Sequence, residues 1–172
     1  MNGGNQGEQY RLGSLGRHNQ MMQGPRFAIP LAVGIGVVLC TVGIHALAVG
    51  TTVNLVRRER RLGRIGKGVW VDLPIVALVS LLSLLAHLIG IGLWAEVFIL
   101  CGEFQEFGLA YYHSAVNYTT LGYGDIIMTP SWKLLGPLEA ADGALMFGIS
   151  TAMIFAVVLR LVQARYVDLR EH

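Results

Sequence analysis

Charge is what this 172-residue chain has least of. Asp, Glu, Lys and Arg together make up 14% of it, where a soluble domain carries about a quarter. The formal charge of +2 argues against a nucleic-acid binder, and no patch interleaves basic with aromatic residues. Cysteine is nearly absent: Cys40 and Cys101 lie in or beside apolar runs, at no metal-ligand spacing. That leaves them as small buried hydrophobes and implies no disulfide framework. No helix repeats arginine at regular intervals, which argues against a voltage sensor. Apolar residues, by contrast, reach 53%. The chain is bounded to one small membrane domain.

Residues 1–26 are polar, with Arg11, Arg17 and Arg26, and are expected to be disordered. From Phe27 to Val56 no charge interrupts the chain, and a bilayer span needs only about 20 residues. Ala46-Leu47-Ala48 imitates a signal-peptidase site, yet the run far exceeds the ~7–15 residues of a signal core. A first membrane helix is therefore predicted over 27–56. Its small pairs, Ala32/Gly36 and Ala46/Gly50, would admit another helix closely. Arg57, Arg58, Arg60 and Arg61, then Arg64 and Lys67, make 57–69 a basic loop suited to the cytoplasm and to anionic lipid heads. The second run, Leu73–Leu100, follows Trp70 and Asp72 at the interface and holds Pro74 near its start. His87 and Glu96 interrupt it. Glu96 lies near the far end beside Trp94, which reads as an interface anchor. His45 reads as a neutral histidine bonded to a neighbouring helix; haem held between His45 and His87 is the alternative.

After a polar break at 102–106, Phe107–Thr119 predicts a helix too short to span. The acidic residues before it, Glu103 and Glu106, suit the positive end of its dipole. It runs directly into Thr119-Thr120-Leu121-Gly122-Tyr123-Gly124-Asp125. Non-helical backbone at membrane depth is tolerated only where protein or a water-filled cavity surrounds it. The chain returns through Thr129–Trp132 to a third span over Gly136–Leu161, with Glu139 and Asp142 near its start. Ala140, Ala144, Gly148, Ala152 and Ala156 recur every four residues along it, as a packing face or a cavity lining. Gly143 and Gly148 are candidate gate hinges, or ordinary packing glycines.

Three spans place the termini on opposite sides. With the arginine-rich segment inside, nine of the 13 Lys and Arg residues lie inside, and Arg11, Arg17, Arg26 and Lys133 lie outside. The three tail arginines would then have to cross. Charge alone puts the short helix and the segment after it on the outer side.

Thr119–Asp125 has a chemistry of its own. A dehydrated cation needs a ring of oxygens, and backbone carbonyls supply them if successive ones point the same way. That requires residues at positive φ, which glycine adopts freely. Thr120 adds a hydroxyl, and the Tyr123 ring can pack outward to hold the segment open. A Gly-Tyr-Gly turn between two helices is the bland alternative.

The motif resembles the T-x-G-Y-G selectivity filter of potassium channels. Phe107–Val162 resembles the family's pore module in its bacterial two-helix form, and the whole chain is similar to small bacterial channels with three helices and one pore loop. The resemblance implies an all-α membrane protein assembled as a homotetramer about a fourfold axis, with residues 70–162 as pore module and 163–172 as a cytoplasmic tail. It implies K+ at Thr120, Leu121, Gly122 and Tyr123, with Gly124 completing the filter, and no cofactor beyond the permeant ion. Leu121 replaces the commoner valine but lends only its carbonyl. Asp125 would brace the filter from behind. Val116 stands where some members carry a glutamate bonded to that aspartate, so Trp132, Asn117 or a water is expected to hold Asp125, with Thr119 beside them. The implied function is passive K+ conduction, not catalysis, in a bacterial plasma membrane, with the N-terminus outside and the C-terminus cytoplasmic. A weakly selective cation channel, a non-conducting adaptor using the basic segment, and a haem protein are the alternatives. Opening by pH through His113, Glu139 or Asp142, by lipid, or by tension stays open.

Overall fold

The computed structural model describes the backbone of residues 4–65 and 68–168, and the side chains of 27–65 and 68–166. Four helices follow in order: α1 (Gly4–Arg61), α2 (Val69–Leu100), α3 (Phe107–Tyr118) and α4 (Leu135–Asp168). No strand occurs among the described residues. The polar tail, 1–26, expected to be disordered, is instead helical backbone from Gly4 onward as the first part of α1, and its side chains lie outside the described set. Phe27–Arg61, Val69–Leu100 and Leu135–Tyr166 are each long and apolar enough to cross a membrane, so this is an all-α membrane protein with three candidate spans and one short helix. Helix is what lipid demands, since no water is there to bond a free N–H or C=O.

The ends differ from the sequence-based expectation where apolar runs and helices part company. α1 continues through Arg61, making Arg57–Arg61 a helix terminus rather than loop; cations there complement the helix dipole. α2 starts at Val69, so Pro74 sits inside it, in the second turn.

α2 and α4 pack on each other, and α1 and α3 each lie against that pair. One apolar cluster surrounds α3, with Trp94, Phe98, Ala110, Tyr118, Leu135 and Met146. A second, of Ile75, Val79, Val157 and Leu161, joins the other ends of α2 and α4. Many leucines face outward instead, among them Leu39, Leu47, Leu81 and Leu84. The buried stripe of α1 runs through Gly34, Val37, Thr41, His45 and Thr52, at helical spacing. That stripe passes Gly34 rather than Gly36 or Gly50, which have open space around them. A Cβ on Gly34 would lie 2.6 Å from Leu138. The close approach is real, at a different glycine.

Candidate functional site

α3 ends in a turn that sets the geometry of the next seven residues. Thr119 caps it, its hydroxyl donating 2.7 Å to the Ala115 carbonyl. The Thr120 N–H bonds Asn117 O at 2.8 Å, and the Leu121 and Gly122 N–H groups both bond Val116 O, at 3.0 and 3.2 Å. This is a Schellman closure, in which the residue just past the cap is normally glycine in the left-handed region. Here it is Thr120, at φ 60°. A β-branched residue in that region costs about 1–2 kcal/mol. Strain of this kind is retained where the surroundings enforce it, and points to a functional position. Val116, absent as a carboxylate brace, acts through its carbonyl.

Positive φ then recurs at every second residue: 60° at Thr120, 59° at Gly122 and 71° at Gly124. In an ordinary strand successive carbonyls point to opposite sides; moving alternate residues into the left-handed region undoes that alternation. Thr120 to Asp125 are all exposed in the single chain. Tyr123 is 66% exposed, so most of its surface is left uncovered by its own chain.

Asp125 is held differently from expectation. Neither Trp132 nor Asn117 bonds it. The Tyr112 hydroxyl donates to its carboxylate at 2.9 Å, and the Ile126 N–H adds a bond at 3.1 Å. The same contact raises the Tyr112 phenol above its ordinary pKa, since an ionised phenol could no longer donate. Asn117 pairs instead with His113 at 2.9 Å, and Trp132 packs on the core around α3. Glu103, read as a dipole partner, reaches across the loop and accepts from the Thr129 N–H at 2.8 Å.

Beneath the segment lies a buried polar frame. Asp142 accepts Thr41 Oγ1 on both carboxylate oxygens, at 2.8 and 2.9 Å, and Trp94 Nε1 at 2.8 Å. Three helices meet on one carboxylate. Trp94 is thus a core residue rather than an interface anchor, while Glu96 is exposed. Ser114 of α3 bonds both Ile91 O, at 2.8 Å, and the Glu139 carboxylate. His45 Nε2 lies 3.3 Å from His87 Nδ1, and His87 Nδ1 the same distance from the Tyr118 hydroxyl. The two imidazoles touch directly, which leaves no gap for a haem iron between them.

Gly143 explains how tightly this frame is closed. A Cβ there would lie 1.9 Å from the Tyr118 carbonyl oxygen, a backbone atom with nowhere to go. Gly143 is a packing glycine against the end of α3. Gly148 has nothing within 4 Å and stays a candidate hinge. Ala144, Gly148, Ala152 and Ala156 are exposed, and Ala152 and Ala156 line an open space between α4 and α1.

A family model described as "Ion channel" matches residues 86–160. No curated protein and no solved structure shows significant similarity to the chain. The matched stretch contains the second half of α2, all of α3, the alternating segment and most of α4. Residues 86–160 are therefore similar to an ion channel domain.

Proposed function

We propose that the chain forms a homotetrameric, potassium-selective channel that conducts K+ passively through a ring of backbone carbonyls from Thr120, Leu121, Gly122, Tyr123 and Gly124. The observation that carries this reading is the positive φ at Thr120, Gly122 and Gly124, directly after α3 and inside the stretch similar to an ion channel domain. Backbone that turns its carbonyls one way replaces a cation's water shell. A single chain supplies only one such row, and the row is exposed on it, so the ring needs further copies. α3 directs its negative end toward the space below the row, favouring a cation there. Asp125, held by Tyr112, stiffens the outer end. Gly148 is the site at which α4 bends. The membrane is a bacterial plasma membrane, with the basic end of α1 inside, α3 toward the outer face and the C-terminus cytoplasmic.

Gly122→Ala and Gly124→Ala test it in proteoliposomes. Alanine in the left-handed region costs about 1–2 kcal/mol and turns the carbonyl away, so both variants should assemble and lose K+ flux. Unchanged flux in either sinks the carbonyl ring; no flux in the wild type leaves the adaptor reading.

A further inference from the structure

Conduction makes no use of one cavity among the described residues. It opens between the second half of α1 and the second half of α4, measures ≈ 1000 Å³ and extends from Val49 and Ile149 to Arg60 and Gln163. Its walls are apolar, with Val53 and Val56 from α1 and Met153 and Val157 from α4. Its other end carries Arg57, Arg60 and Arg160, and no Asp or Glu lines it. Arg64 pairs with Glu59 and Arg165 with Asp72. Arg57, Arg60 and Arg160 have no ion-pair partner among the described residues. Thr52, 1% exposed, also lines the cavity, and its hydroxyl has no hydrogen-bond partner. Thr51, one residue earlier, bonds the Leu47 carbonyl at 2.8 Å.

The dimensions and the charge together name the occupant. From Val49 to Arg60, α1 rises about 16 Å at 1.5 Å per residue, close to half of the ~30 Å hydrocarbon core. The cavity is as deep as one leaflet, with its cations at headgroup height. A soluble anion would use only the arginines; a neutral lipid would use only the walls. We propose that this cavity binds an anionic phospholipid. One acyl chain lies along Val53, Val56, Met153 and Val157. The phosphate meets Arg57, Arg60 and Arg160. The site depends on α1, a helix outside the matched ion channel domain.

The test is lipid retention, independent of ion flux. The full chain, purified in detergent with equal phosphatidylglycerol and phosphatidylcholine, is analysed by native mass spectrometry. Phosphatidylglycerol should be retained in preference. Each arginine near an anionic headgroup is worth about 1 kcal/mol, roughly fivefold, so the exposed triple change R57Q/R60Q/R160Q should cut that preference about 100-fold. Val53→Trp, which fills the cavity and keeps the arginines, should reduce retention as well. Equal retention of both lipids, or no effect of the triple change, overturns the proposal. So does displacement of the lipid by glycerol phosphate alone, which would make this a headgroup-only anion site. A change of oligomeric state in Val53→Trp with lipid retention intact would mean that a second copy of the chain fills the groove.

Discussion

In its first half α4 is bonded to every other helix: Asp142 to Thr41 of α1 and Trp94 of α2, Glu139 to Ser114 of α3. In its second half the same helix keeps, among the described residues, one ion pair, Arg165 to Asp72 at 2.6 Å, a small apolar cluster with α2 joined by Leu55 and Val56 of α1, and a cavity beside α1. Hydrogen bonds buried in low dielectric are directional and costly to break; apolar contacts are non-directional and tolerate sliding. The frame around α3 therefore fixes where the Thr119–Asp125 segment begins, while the far ends of α1 and α4 can shift against each other without orphaning a polar group. A gate working by helix movement meets least resistance there.

Alanine at the two candidate hinges breaks this contrast most sharply. Gly143→Ala drives a methyl into the Tyr118 carbonyl, and should cost about 3 kcal/mol, seen as a lower unfolding temperature in detergent. Gly148→Ala meets open space and should stay within about 0.5 kcal/mol of wild type or gain from better helix propensity. Equal losses at both would show that the two halves of α4 are equally constrained.

A polar pair of substitutions gives the next effect. Asp142→Ala leaves the Trp94 indole without an acceptor and the Thr41 hydroxyl with only the Val38 carbonyl, at about 2–4 kcal/mol. Arg165→Gln removes an ion pair whose arginine is 37% exposed; solvent screening limits that loss to about 1 kcal/mol. Chemical or thermal unfolding of both variants measures the ratio. The reverse order would place the structural anchor at the wrong end.

The smallest effect on stability should come from Tyr112→Phe, which removes only the bond to Asp125. Global unfolding should be unchanged, while flux should decay faster with time as Asp125 loses its brace. A variant with normal persistence would show that Asp125 is held by something other than Tyr112.

The helices were legible in the sequence because hydropathy is additive along the chain; three apolar runs became three spans. The short α3 and its exit into alternating positive φ followed from length and from Gly122 and Gly124. The cross-helix partners were not legible. Asp142 and Trp94 are 48 residues apart, His45 and His87 are 42 apart, and their meeting depends on the rotation of each helix about its own axis. Trp94 near the end of an apolar run has the same sequence signature as an interface tryptophan. Tyr112 was one of four aromatics on α3, and only the return of the chain past it singles it out. Gly143 was one of 22 glycines, distinguished by a backbone oxygen from another helix. The cavity between α1 and α4 was legible only as its arginines, because a void leaves no mark on a sequence.

Under the proposed function, Thr120–Gly124 chooses potassium. Proteoliposomes loaded with K+ or Na+ and driven by the same gradient measure that choice directly. K+ flux well above Na+ flux, with both lost in Gly122→Ala, is the predicted result; equal rates for the two ions would contradict it and leave a weakly selective cation channel.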